Sequence, residues 1–180
     1  MRLQFITIGE YCQMAESDRV DYDFAIRYSE QAEPKDLLFF GDIIKKTFGE
    51  VKDWQQLFAD KEYFIKFLAM FDEKLLLLDV FSFFAFYRYV ESEVIRVSDI
   101  ERKLLSHEPT ADEVAAGLDR FNIFGVVIQI DNLAKGDILK WDKVRELPYE
   151  YCLIKLSLDK ASNDFQKNYQ ELMNNKQRNG

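Results

Sequence analysis

From Asp72 to His107 the chain runs for 36 residues without a glycine or a proline. That run constrains the fold more than any other feature. An all-β protein turns about every 8–12 residues, and its turns draw on glycine and proline. The whole chain carries only seven glycines and three prolines in 180 residues. Sandwiches and barrels are therefore excluded, and helices are expected throughout. At about 100° per residue, Leu75, Phe83, Phe86, Val90, Val94, Val97, Ile100 and Leu104 fall on one stripe. Leu77, Phe81, Phe84 and Ile95 form a second stripe roughly opposite, and Lys74, Ser92, Asp99 and Lys103 mark a polar side. The first half of this helix is apolar nearly all round. It is expected at the centre of a bundle or under a partner.

Local signals divide the rest. Thr7-Ile8-Gly9-Glu10 is a capping box, and Ile6 and Tyr11 have the spacing of a hydrophobic staple. These predict a helix from Ile8 to about Ser17. Residues 2–8 alternate loosely and are the one candidate for a short N-terminal strand. A second helix is expected from Asp21 to Gln31. Pro34 suits the first turn of a third, with Leu37, Phe40, Ile44 and Phe48 inward and Gly49 ending or bending it. Val51, Trp54 and Phe58 continue helical spacing, and Asp60 can cap a helix carrying Phe64, Phe67, Leu68 and Phe71. Glu108-Pro109 breaks the long helix. Thr110-Ala111-Asp112-Glu113 is a second capping box, with Val114, Leu118 and Phe121 expected inward. The apolar run from Ile123 ends at Lys135-Gly136, a C-cap signal. Its β-branched Val126-Val127-Ile128 leaves both helix and strand open for residues 124–130. Asp137 can cap a short helix with Ile138, Trp141 and Val144 inward. Pro148 restarts the chain, with Tyr149, Cys152, Leu153 and Leu156 on one face. A last helix carries Phe165, Tyr169 and Leu172, and the polar end is expected to fray.

The expectation is therefore an all-α fold, a compact multi-helix bundle with a long central helix over about residues 72–107. Residues 1–180 read as a single helical domain without internal repeats. Pro109 is the best place for a boundary between two lobes, 1–108 and 109–174, followed by a frayed tail, 175–180.

Hydrophobic residues make up 48% of the chain, with 16 Phe and 9 Tyr, enough for a packed core and too many for a disordered chain. The formal net charge of −8 weighs against a nucleic-acid partner. The excess acid keeps the protein soluble or complements a basic partner. The most apolar stretch, Leu75 to Val90, is interrupted by Asp79 and Arg88 and falls short of the roughly 20 residues that span a bilayer. No membrane association is expected, and the N-terminus has no secretion-signal pattern. A cytoplasmic location is the expectation. Cys12 and Cys152 form no CxxC and are expected as reduced, buried thiols. His107 is the one histidine, so no metal-ligand spacing exists around it. No nucleophile elbow, P-loop or dinucleotide fingerprint is present. No catalytic, cofactor or metal residues are nominated, and a non-enzymatic protein is expected. Asp79, placed among apolar neighbours, is expected in an ion pair. The aromatic cluster of the long helix reads first as core. Its shorter stripe, Leu77, Phe81 and Phe84, is the candidate protein-interaction strip, offered to a client helix or to a second copy.

The run Asp131-Asn132-Leu133-Ala134-Lys135-Gly136-Asp137-Ile138-Leu139-Lys140-Trp141-Asp142-Lys143-Val144 leads into Leu147-Pro148-Tyr149. Lys155-Leu156 and Phe165-Gln166-Lys167-Asn168-Tyr169 follow. This pattern, over residues 131–173, resembles small helical proteins of tailed-bacteriophage structural modules, above all the tail assembly chaperones. The resemblance implies a non-enzymatic protein of the host cytoplasm that shields the apolar helices of a tape-measure-type client. A virion or head–tail joining component, or a helical adaptor forming a homo-oligomer, is the alternative. The resemblance names no binding residues.

Overall fold

The structure is a computed structural model and describes residues 5–28, 41–59 and 76–178. The described residues are helical, as expected. Helices α1 (Ile8–Gln13), α2 (Glu16–Tyr28) and α3 (Phe48–Ala59) come first. The long α4 (Val80–Leu105) follows. Then come α5 (Ala111–Ala115), α6 (Val126–Ala134), α7 (Trp141–Arg145) and α8 (Tyr149–Arg178). Turns of 3-10 helix occupy Ile43–Lys45, Leu118–Phe124 and Ile138–Lys140. The β pairing among the described residues consists of two isolated bridges, Thr7 with Asp79 and Thr47 with Pro148.

The chain divides into two compact units. Unit 1 comprises Met1–Ile43 and Asp53–Arg96, and unit 2 comprises Ile44–Lys52 and Val97–Gly180. Helices α3 and α4 each contribute residues to both, and Pro109 lies inside unit 2.

The two bridges expose a repeat that the spacing of residues does not announce. Thr7-Ile8-Gly9-Glu10 opens α1, and Thr47-Phe48-Gly49-Glu50 opens α3. In each, the threonine hydroxyl accepts from the glutamate N–H, and the carboxylate accepts from the threonine N–H. Each is also tied to the start of a long helix by a reciprocal pair of backbone hydrogen bonds. In unit 1, Ile8 N donates to Leu78 O (2.8 Å) and Val80 N to Ile6 O (2.9 Å). In unit 2, Phe48 N donates to Leu147 O (2.7 Å) and Tyr149 N to Lys46 O (3.0 Å). The glycines have a steric reason. A Cβ on Gly9 would lie 3.3 Å from Leu76 O, and one on Gly49 would lie 3.1 Å from Arg145 O. Gly49 therefore sits inside the first turn of α3 rather than ending a helix. The same faces turn inward in both units: Ile8, Val80, Phe83 and Tyr87 in unit 1, and Phe48, Tyr149, Cys152 and Leu156 in unit 2, are all buried. Four identical or similar residues make too short a repeat to register until the second strand of each junction is seen.

Unit 1 has an aromatic interior. Tyr11 meets the Phe84 ring edge-on at 5.7 Å, and Phe58 lies 5.5 Å from Tyr87 and 6.5 Å from Trp54. Polar groups at its margin are satisfied locally. The Tyr11 hydroxyl donates to Asp23, and Arg88 donates to the carbonyl of Ile26 at 2.6 Å. Burial and the Asp23 carboxylate push the Tyr11 phenol well above its ordinary value.

Several expectations are corrected. The long helix begins at Val80, not near residue 72, because Asp79 caps it: its carboxylate accepts from Phe81 N (3.1 Å) and Ser82 N (3.0 Å). Among the described residues, the half-buried Asp79 makes that bond pair and no ion pair. The core stripe holds from Phe83 through Val97, but Leu104 is exposed. Residues 126–134 are helix, so periodicity prevails over β-branching there. Val114, Phe121 and Ile138, expected inward, are exposed. Cys12 is exposed while Cys152 is buried, and both are free. The second helix starts earlier, at Glu16, and is described as far as Tyr28; its expected end at Gln31 lies outside the described residues. α8 runs on to Arg178, into the polar end of the chain. The expected strand over residues 2–8 amounts to the Thr7 bridge among the described residues. Pro34, Leu37, Phe40, Phe64, Phe67, Leu68, Phe71 and Leu75 lie outside the described residues.

Three caps match the sequence reading. Thr7 and Thr110 form complete capping boxes. Asp137 accepts from Leu139 N at 3.1 Å, although the element it caps is a 3-10 turn. The C-cap also stands: Lys135 and Gly136 both have positive φ, and Gly136 N donates to Asp131 O.

Candidate functional site

Unit 2 encloses one charged pair within an otherwise apolar interior. Its internal centre is Glu101 on α4. One carboxylate oxygen accepts from Lys52 Nζ on α3 and from Gln129 Nε2 on α6 (2.8 Å). The other accepts from the Tyr149 hydroxyl at the start of α8 (3.1 Å). Lys52 is buried, only 7% exposed. Its ammonium lies 5.3 Å from the Phe48 ring and 5.9 Å from the Tyr149 ring, which are stacked nearly parallel. Desolvation holds the Lys52 ammonium below its ordinary value, with Glu101 opposing. Burial, followed by the Glu101 charge, pushes the Tyr149 phenol far up. The Gln129 carbonyl oxygen is buried with no hydrogen-bond partner among the described residues. One carboxylate thus gathers donors from three other helices. Chemically this is a clamp: the donors and the acceptor satisfy one another, and a buried charge pair of this kind is stable only when the whole set is present.

Outside, unit 2 exposes many of the large apolar side chains among the described residues. The 3-10 turn before α6 exposes Phe121, Ile123 (82%) and Phe124, and the turn after it exposes Ile138 and Leu139 (86%). Between them Trp141 Nε1 donates to Asp131 at 3.2 Å, which fixes the second turn against α6. Along α8, Tyr151, Ile154, Leu158, Phe165, Tyr169 and Leu172 are all exposed.

The candidate strip read from the sequence straddles the start of α4. Leu77 is 75% exposed, in the turn that precedes α4. Phe81 is half-buried in the first turn of α4, and Phe84 is half-buried with its ring against Tyr11, Phe83 and Tyr87. The α8 strip escapes sequence reasoning because Phe165, Tyr169 and Leu172 look like the inward face of a separate helix. Reading residues 149–178 as one helix reveals two stripes, and the one with the longer reach faces out.

Among the described residues, no group of three or more His, Cys, Asp or Glu side chains could hold a metal ion. Among them, too, no helix is long and apolar enough to cross a membrane. No protein-family model, curated protein or solved structure matches the chain.

Proposed function

We propose that this protein is a non-enzymatic binding module that holds an apolar helix of another protein on the exposed face of unit 2. It acts in assembly, as a tail assembly chaperone does. The observation that supports this reading most is the pair of 3-10 turns flanking α6, where Ile123 and Leu139 stand almost wholly in water. Exposed clusters of large apolar side chains are a liability to a free protein and mark interaction surfaces. The net charge of −8 favours a basic amphipathic partner over an acidic one. The host cytoplasm is where such a client would be met.

The test uses a synthetic helical peptide with leucine at the first and fourth positions of each heptad and lysine elsewhere. Fluorescence anisotropy should show saturable binding to the intact chain. Combining Ile123→Glu with Leu139→Glu should weaken it by about tenfold or more, with an unchanged melting temperature, because both side chains are already exposed. Equal binding by the variant, or none by the parent, removes this reading.

A further inference from the structure

We infer that α8 is a self-association helix: two copies of this chain pair through it as a parallel two-stranded coiled coil. The inference concerns a different set of exposed residues from those of the client surface. Tyr151, Leu158, Phe165 and Leu172 recur every seven residues, and Ile154, Ala161 and Asn168 each lie three further on. All seven are exposed, Phe165 at 68%. This is the first-and-fourth spacing of a coiled-coil seam. The opposite face is already occupied. Tyr149, Cys152 and Leu156 are buried within unit 2, and Lys167 donates to Glu113 at 3.2 Å.

The edges of the seam select the partner. Glu150, Ser157, Asp164 and Glu171 flank it on one side, and Lys155, Ser162, Tyr169 and Lys176 on the other. In a parallel pair each residue of the first edge meets the residue five positions further along the other chain. Glu150 then meets the partner's Lys155, Ser157 the partner's Ser162, Asp164 the partner's Tyr169, and Glu171 the partner's Lys176. Every meeting joins opposite charges or two groups that can hydrogen-bond. An antiparallel pair would oppose acid to acid and lysine to lysine. Within the helix Lys155 pairs with Asp159 and Lys160 with Asp164, but these are solvent-accessible pairs that contribute little. Asn168 makes one layer of the seam polar.

Size and stability agree with this. The helix is about 45 Å long, at 1.5 Å per residue. A Tyr or Phe carries roughly 150–250 Å², so three exposed rings with Ile154, Leu158 and Leu172 offer several hundred Å² per copy. A standard interface takes about 800 Å² from each partner. From residue 161 to 177 no side chain of α8 is buried. A helical end with so little packed against it is marginal in water, and pairing supplies the missing contacts.

Light scattering on the intact chain should give twice 21.3 kDa. Phe165→Glu, on an exposed position, should return the mass of one chain without loss of the cooperative melt. Two charge variants test the partner. Lys155→Glu with Lys176→Glu should be monomeric alone, as should Glu150→Lys with Glu171→Lys, and their mixture should restore the dimer. Direction is read from Leu172→Cys in a Cys12→Ser background: mild oxidation should join position 172 to position 172 of the other copy. A monomeric parent chain overturns the inference, as does a dimer indifferent to Phe165→Glu or one that fails to crosslink at 172. A monomer that still binds the lysine–leucine peptide removes the coiled coil and leaves the proposed function standing. A dimer that binds no peptide does the reverse.

Discussion

Helices α4 and α8 begin alike and end differently. Each starts at a one-residue bridge to a Thr-x-Gly-Glu helix opening, and each buries its first, fourth and eighth residues: Val80, Phe83 and Tyr87 in one, Tyr149, Cys152 and Leu156 in the other. The outer faces diverge. Where α8 carries Tyr151, Phe165 and Leu172, the corresponding residues of α4 are Ser82, Arg96 and Lys103. Arg96 in addition pairs with Glu93 at 2.7 Å. The shared junction therefore requires an apolar inner face and makes no demand on the outer one. An apolar outer face on α8 is surplus to the fold, which is the physical basis for assigning it to a partner.

The junctions also differ at one interior position, and the largest expected effect lies there. Five residues after each capping threonine stands Cys12 in unit 1 and Lys52 in unit 2. Cys12 is exposed, whereas Lys52 is buried against Glu101. Lys52→Met leaves Glu101 buried without its cation and should cost about 3–5 kcal/mol. Adding Glu101→Leu should recover most of that loss, since an apolar pair of similar volume replaces a buried ion pair at little cost. Cys12→Ala should stay within about 0.5 kcal/mol. Urea denaturation of these variants beside the parent measures all of this. A Lys52→Met loss below about 1 kcal/mol would mean that the pair is solvated.

A smaller effect compares the two glycines. Gly49 is the tighter: a methyl group there would lie 3.0 Å from Arg145 Cβ and 3.1 Å from its carbonyl, against 3.3 Å from Leu76 O at Gly9. Gly49→Ala should destabilise by about 1–3 kcal/mol through overpacking. For Gly9→Ala the milder clash is offset by the roughly 1 kcal/mol that alanine gains over glycine in a helix, so the net change should be near zero. Equal effects at the two sites would show that Arg145 yields to the added methyl group and that the closer contact at Gly49 costs nothing.

The smallest expected effect is a titration in unit 2. Glu113 at the Thr110 cap is held down to about 2, first by the Thr110 N–H and then by His107 and Lys167. A carboxyl depressed in the folded state adds stability that is full above its ordinary value of 4.5 and is lost as pH falls toward 2. Carboxyl chemical shifts should place the Glu113 midpoint near 2, with the Thr110 amide losing exchange protection over the same range. A midpoint at 4.5 would show that the cap is frayed in solution.

Local chemistry was legible in the sequence. The capping boxes at Thr7 and Thr110, the Asp137 cap, the Lys135-Gly136 C-cap and the restart at Pro148 each involve residues within a few positions of one another. So does helix itself, given the scarcity of glycine and proline. Distance along the chain hid the rest. Glu101 finds Lys52, Gln129 and Tyr149 across 49, 28 and 48 positions, and no pattern of three or four residues encodes such a meeting. Periodicity likewise locates an apolar stripe on a helix but not the side on which the core lies. Leu77, Phe81 and Phe84 share a stripe by spacing, yet Asp79 caps the helix between Leu77 and the other two, and Phe84 turns to Tyr11. Phe165, Tyr169 and Leu172 share a stripe too, and that one faces water. Most helix starts and stops follow from neighbouring residues, because backbone caps and turns are satisfied by groups close in the chain. Which faces lie inside follows from packing alone, because burial depends on what other elements have already covered.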